Sequence, residues 1–174
     1  VAAPEVLKSP ALSLLHRPGD GSLAGRKVAI PVAPGVEGDF VLKAQAALLE
    51  QGVVARIVGP RIGPMRTASG AALDADASME NEPGFLFDAL IVADGKEAVA
   101  ALSRDGHTME FIKDQFRHCK PILAVGNARQ LLSQAGLPVS LDESATQGGL
   151  IATGSGDGEG AIGAFIEAMA MHRH

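Results

Sequence analysis

A doubly wound α/β domain, with a mostly parallel sheet and helices on both faces, is the fold class this sequence predicts. Three observations carry that reading. Short, unbroken apolar runs recur along the chain, as at Val28–Ala33, Ala89–Ala93 and Ile122–Val125. Runs of this kind read as strands buried on both faces. Segments with helical spacing of apolar residues stand between them, and the connections are short, so parallel strands joined by helical crossovers follow.

The elements take this order. Residues 1–25 read as a linker or N-terminal extension, because Arg17-Pro18-Gly19-Asp20-Gly21-Ser22 is turn chemistry without periodicity. A domain is expected over 26–174. Val28–Ala33 is its first strand and ends in Pro34-Gly35. Phe40, Ala44, Ala47 and Leu48 then recur at helical spacing, and Gly52 closes that helix. Val53–Val58 is a second strand, stopped by Gly59-Pro60. Over 59–87 the pattern weakens. Arg61, Gly63, Pro64 and Arg66 suggest a loop, Ala71–Leu73 a short strand, and Asp74–Glu82 a polar excursion. Asp88–Ala93 is the next buried strand, with Asp94-Gly95 as its turn. Helices are expected from about Glu97 and over Thr108–His118. Lys120-Pro121 interrupts, Ile122–Val125 is a strand, and Ala128–Ala135 is a helix ended by Gly136. Leu150–Thr153 is a late strand and Ala161–Met171 a final apolar helix. Right-handed crossovers arrange these elements in a flavodoxin-like layout.

A chain of 174 residues suits one domain with one core. Its formal charge of −5 argues against nucleic acid, which needs clustered Lys and Arg. Its aromatic residues are all Phe, so a base-stacking platform is not expected. With no Tyr, the chain has no tyrosinate to offer haem iron. With one Cys, it has neither an internal disulfide nor a multi-cysteine metal cage, and a reducing, cytoplasmic setting is expected. No stretch has the length of a membrane-spanning helix and no signal peptide is visible. Residue 1 is Val rather than Met, which predicts a fragment or a processed product.

Ligands of such sheets bind beyond the carboxyl ends of the strands. The most telling turn follows Ile122–Val125, where α/β enzymes place a strained nucleophile. It reads Gly126-Asn127-Ala128, without Ser, Cys or Thr. Gly126 is expected to make the tight turn and Asn127 to cap the helix. Cys119, the lone thiol, is flanked by His118 and Lys120 but precedes its strand, at the amino end of the sheet. A structural or incidental thiol is the expectation there, since an unpaired Cys usually behaves as a small hydrophobe. An extended His118–Lys120 would point neighbouring side chains to opposite sides. Glu37 follows the first strand, where a carboxylate could reach a reactive site, although its charge also suits a helix N-terminus. Gly154–Ala161 matches a dinucleotide pattern weakly, through Gly156, Gly158 and Ala161. Asp157 and Glu159 would repel a pyrophosphate, so a glycine loop with acids at a helix start is expected. His172 and His174 at the tail read as solvated, and His16 and His107 have no triad spacing. Arg61 and Arg66 form a small basic cluster, expected to be solvated or at an interface. No catalytic, cofactor-binding or metal-ligating residue is expected.

The order and spacing of several segments carry a resemblance. They are Ser9–Ser13, Arg17–Gly21, Gly25–Ile30, Leu86–Val92, Lys120-Pro121-Ile122 and Phe165–Met169. Together they resemble the C-terminal domain of large-subunit haem catalases, over nearly the whole chain from Ser9. That domain is related to the class I glutamine amidotransferases and the Parkinson-linked deglycase/protease proteins. Enzymes of that superfamily carry a Cys at the elbow, often with a nearby His, and a Glu after the first strand. Here Gly126 stands at the elbow position, Thr146 and Gln147 stand where the His is expected, and Glu37 approximates the Glu. The resemblance thus implies a vestigial elbow at Gly126, Asn127 and Glu37. It also implies a parent enzyme that disproportionates hydrogen peroxide to water and oxygen. The haem would lie in an N-terminal domain of the same polypeptide, with none in this chain.

Three functions are weighed. The first is a non-catalytic accessory domain that packs on the haem domain, stabilises a homotetramer and shapes peroxide access to haem. The second is a chaperone-like module that binds unfolded proteins. The third is a residual thiol enzyme using Cys119. Neither nucleic acid nor membrane is an expected partner.

Overall fold

The computed structural model describes residues 9–13, 16, 21–138, 145–147, 149–156 and 158–171. After a single 3-10 turn at Pro10–Leu12, the chain enters the domain at Leu23, which is buried, and at Gly25, whose N–H donates to Gly52 O at 2.9 Å. The strands are β1 (Lys27–Pro31), β2 (Val54–Gly59), β3 (Gly63–Arg66), β4 (Ala72–Ala75), β5 (Ala77–Ser78), β6 (Ala89–Val92), β7 (Ile122–Val125), β8 (Ala145–Gln147) and β9 (Leu150–Thr153). The helices are α1 (Gly38–Glu50), α2 (Lys96–Leu102), α3 (Gly106–Arg117), α4 (Arg129–Gln134) and α5 (Gly158–Ala170).

The main sheet runs β5-β2-β1-β6-β7-β9-β8, and only β8 is antiparallel to its neighbour. This is the doubly wound, flavodoxin-like α/β fold. α1 packs against α5, while α2 and α3 pack against α4, so the helices fall into two layers. Every residue of β6, β7 and β9 is buried, as strands covered on both faces require. The core between the layers includes Ile30, Leu90, Leu123, Phe111 and Phe165. The Phe87 and Phe111 rings meet with centroids 5.9 Å apart.

The weakly patterned stretch behaves differently from expectation. The loop anticipated around Arg61–Arg66 contains β3, paired antiparallel with β4 in the register Met65↔Leu73. Its composition of Gly and Pro hides a strand whose hydrogen bonds come from its partner. The polar excursion after Asp74 contains β5, which extends the main sheet through Val58↔Ala77. Asp76 anchors that edge: its carboxylate accepts from Ile57 N at 2.9 Å, and its own N–H donates to Ile57 O at 2.8 Å.

Three helices end in the same way. In α1, Val53 N donates to Leu48 O and Gly52 N to Leu49 O. In α4, Leu137 N donates to Leu132 O and Gly136 N to Ser133 O. In α3, Lys120 N donates to Gln115 O and Cys119 N to Phe116 O. This double bond pattern places one residue in the left-handed region, normally glycine. Gly52 has φ +72 and Gly136 φ +84, whereas Cys119 adopts φ +53 with a side chain attached.

Candidate functional site: a filled elbow

The order of strands reverses between β1 and β6, so a ligand of this fold is expected outside their carboxyl ends. Backbone closes that crevice. Glu37 N donates to Asp94 O at 2.9 Å, and a Cβ added to Gly95 would lie 2.4 Å from Gly35 O. The loops after β1 and β6 are therefore in direct contact, and glycine at 95 permits their approach.

One strand further on, β7 runs into Gly126, which has φ +58 and opens the 3-10 turn Gly126–Ala128 before α4. This is the strand-to-helix turn where an α/β enzyme mounts a nucleophile. The backbone keeps the left-handed conformation of such an elbow, but the space for a side chain is taken. A Cβ on Gly126 would lie 1.8 Å from Asp94 Oδ2, 2.3 Å from Asp94 Cγ and 2.6 Å from Ser155 Oγ. The carboxylate of Asp94, from the end of β6, fills the position from which an elbow nucleophile would project.

Asp94 is held there from several elements. Its Oδ1 accepts from Gly95 N at 2.7 Å, Asn127 N at 3.0 Å and Asn127 Nδ2 at 2.8 Å. The Ser155 hydroxyl, beyond β9, also donates to the carboxylate. Burial works to raise the Asp94 pKa. The hydrogen bonds from Ser155, Gly95 and Asn127 outweigh it and hold the acid below its ordinary value. The result is a buried, ionised and hydrogen-bonded carboxylate that ties together the carboxyl ends of β6, β7 and β9.

Asn127 is therefore not the helix cap expected from the sequence; no side-chain capping bond is made at this turn or at the start of α4. Its backbone N–H and its side-chain amide both donate to Asp94. Glu37 does stand before α1, but its exposed side chain makes no capping bond, and only its backbone reaches Asp94. Thr146 and Gln147 lie on β8, at the far edge of the sheet. Cys119 lies before β7, at the opposite end of that strand from Gly126. It is exposed, as an incidental thiol rather than a buried filler would be, and its left-handed backbone replaces the extended geometry expected for His118–Lys120. Lys120 Nζ turns to the carbonyls of Phe85 and Phe87.

Ser155 draws the glycine loop into the Asp94 network, while Gly156, Gly158 and Gly160 line a cleft of about 450 Å³ with Asp39, Phe40 and Lys43. Asp157, the Glu159 side chain, His172 and His174 lie outside the described residues. His16 is exposed, and exposed His107 places Nδ1 4.0 Å from Glu110 Oε2 at the start of α3. Arg61 and Arg66 share the wall of a cleft beside β3.

Asp94 and Ser155 are functional-site residues that the sequence does not single out. An acid ending an apolar strand, beside a neighbouring strand that ends in Gly-Asn, was the available signal. Its Asp-Gly sequence also suits an ordinary turn. The chain has no Tyr, and among the described residues no group of three or more His, Cys, Asp or Glu is placed to hold a metal ion. No helix among those residues is long and apolar enough to cross a membrane.

The chain is similar to Catalase HPII of Pseudomonas putida, at 31% identity over 99% of this chain and 22% of the relative. It is also similar to Catalase HPII of Pseudomonas aeruginosa, at 33% identity over 78% of this chain and 19% of the relative. The chain thus spans about a fifth of the length of these curated relatives. The fold is shared with DJ-1beta of Drosophila melanogaster, with a TM-score of 0.70 and 16% identity over 83% of this chain and 90% of that one. Residues 24–174 match the model of the C-terminal domain found in long catalases, and the chain belongs to that family.

Proposed function

We propose that this chain is a non-catalytic accessory domain of a haem catalase, in which the parent polypeptide disproportionates hydrogen peroxide to water and oxygen. In this reading it packs on an N-terminal haem domain, stabilises the homotetramer and shapes the route of peroxide to haem. The observation that carries the non-catalytic reading is the Asp94 carboxylate lodged where an elbow side chain would stand. A nucleophile needs both that position and a neighbouring base, and here the one acid at the position is ionised, buried and consumed by hydrogen bonds.

The packing role draws support from the surface. Leu42 and Leu49 of α1 and Val54 of β2 are 50%, 71% and 46% exposed, and they flank a shallow apolar cleft of about 420 Å³. That cleft also includes Gly52, the residue that meets Ala24 and Gly25 where the chain enters the domain. Apolar surface beside an entry point suits burial between consecutive domains.

The test is deletion of this domain from the full polypeptide. Turnover per haem should persist, while the tetramer should dissociate at lower urea and the dependence of rate on peroxide concentration should change. An unchanged tetramer with unchanged peroxide kinetics would reject the role. The same exposed leucines favour client binding as a second reading. That reading predicts that the free chain suppresses aggregation of a thermally unfolding enzyme, and that Leu42→Glu with Leu49→Glu abolishes the effect.

A further inference from the structure

With the switch-point crevice closed by backbone, the described cleft of about 750 Å³ lies to one side of it, between the exit of β1 and the β3–β4 hairpin. Pro34, Pro60, Pro64 and Met65 supply apolar walls, and Arg61 and Arg66 are its two charged lining residues. Its size and mostly apolar lining with a few polar groups are those of a small-molecule site. It follows β1 and β2 at the carboxyl end of the sheet, where ligands of this fold class bind.

The two guanidiniums stand out on a chain of net charge −5. Two other arginines are paired elsewhere: Arg56 with Glu82 at 2.6 Å, and Arg117 3.7 Å from Asp114. Among the described residues, neither Arg61 nor Arg66 has a carboxylate within ion-pair distance. Arg66 is positioned by the hairpin. Its Nη1 donates to Gly70 O at 3.1 Å, and its carbonyl accepts from Gly35 N at 2.9 Å, which fixes the hairpin against the β1 exit. One nitrogen of that guanidinium is so occupied, and the others remain to donate. Asp74 shares the outer face of the hairpin through its register with Pro64, and so disfavours a densely charged anion.

We propose that this cleft binds a small organic anion, a carboxylate or phosphate monoester carried on an apolar body. The arginines would take the anionic head by charge-assisted hydrogen bonds, and the proline and methionine walls would take the body. The inference stands apart from the accessory-domain reading, because it concerns this chain's own pole of the sheet.

Phenyl phosphate titrated into the isotope-labelled 174-residue chain tests it, followed by amide NMR. The expected result is saturable shifts at Gly63, Met65, Arg66 and Ala72. Inorganic phosphate, lacking the body, should bind at least about tenfold more weakly, and benzylamine, lacking the anion, should leave those amides unmoved. Arg61→Gln with Arg66→Gln should weaken phenyl phosphate by about tenfold or more while amides elsewhere keep their positions. Arg61→Lys with Arg66→Lys, which keeps the charge, should retain part of the affinity and so separates lost charge from lost fold. Shifts elsewhere only, equal binding of inorganic phosphate, or undiminished binding by the glutamine pair would each overturn the proposal.

Discussion

Replacement of Gly126 by alanine probes the filled elbow most sharply. The new Cβ would stand 1.8 Å from Asp94 Oδ2, well inside any tolerable contact, so the carboxylate must leave its position. Its departure strips a partner from Gly95 N, Asn127 N and Asn127 Nδ2. A buried donor left unsatisfied costs about 1–3 kcal/mol. The φ of +58 adds about 1 kcal/mol for a residue with a side chain. Loss of glycine entropy from the unfolded state returns up to about 1 kcal/mol. The expected destabilisation is about 3 kcal/mol, read from urea unfolding with an unchanged slope. An Asp94→Ala background separates the contributions. There the carboxylate is already gone, and the alanine at 126 should cost no more than about 1 kcal/mol, leaving a coupling of at least about 2 kcal/mol between the two sites. A cost below about 1 kcal/mol in the parent chain, or the same cost in both backgrounds, would refute the assignment of Asp94 to that space.

The same geometry fixes further outcomes. Cys119→Gly should stabilise the chain by about 0.5–1 kcal/mol in urea unfolding, because Gly52 and Gly136 hold the equivalent left-handed position of their own helices without a side chain. A loss of stability would contradict the helix-end geometry described for α3. Since the folded chain holds Asp94 below its ordinary value of 3.8, the stability this acid contributes is complete above that pH. It is lost as pH falls through the lower folded value. The stability gap between the parent chain and Asp94→Asn should accordingly be widest near neutrality and narrow below pH 3.8; a gap that widens in acid would reverse the sign. Phe165→Ala, at a fully buried position of α5, should cost about 3–5 kcal/mol by the same assay, and a cost near zero would contradict the packing of α5 on β7 and β9.

The sheet was legible where burial on both faces writes a continuous apolar run. Val28–Ala33, Ala89–Ala93 and Ile122–Val125 carry that pattern; β6 and β7 lie within the second and third, and β1 begins one residue before the first. The short strands were not. β3 is four residues containing Gly63 and Pro64, and β5 is only Ala77–Ser78, so their strand character comes from β4 and β2 rather than from their own composition. β8 lay outside the expected elements because it is a three-residue edge strand formed by antiparallel pairing with β9. The elbow was legible as a position and illegible as a site. Gly126 announced the missing side chain, but what fills the space arrives from Asp94 and Ser155, 32 residues before it and 29 after, with Asn127 beside it. A convergence of three strand ends leaves no local spacing to read, and Asn127 next to a helix start suggests a cap until its partner is in view.

The claim that this chain serves inside a haem catalase is tested most directly in cells that make it. Lysate would be run on a native gel, stained for peroxide decomposition and haem absorbance, and blotted under denaturing conditions with an antibody to this domain. The account predicts a denatured band several times heavier than 17.8 kDa, with the native antibody signal coincident with haem and activity. A band at 17.8 kDa alone, migrating apart from haem and from peroxide decomposition, would contradict it.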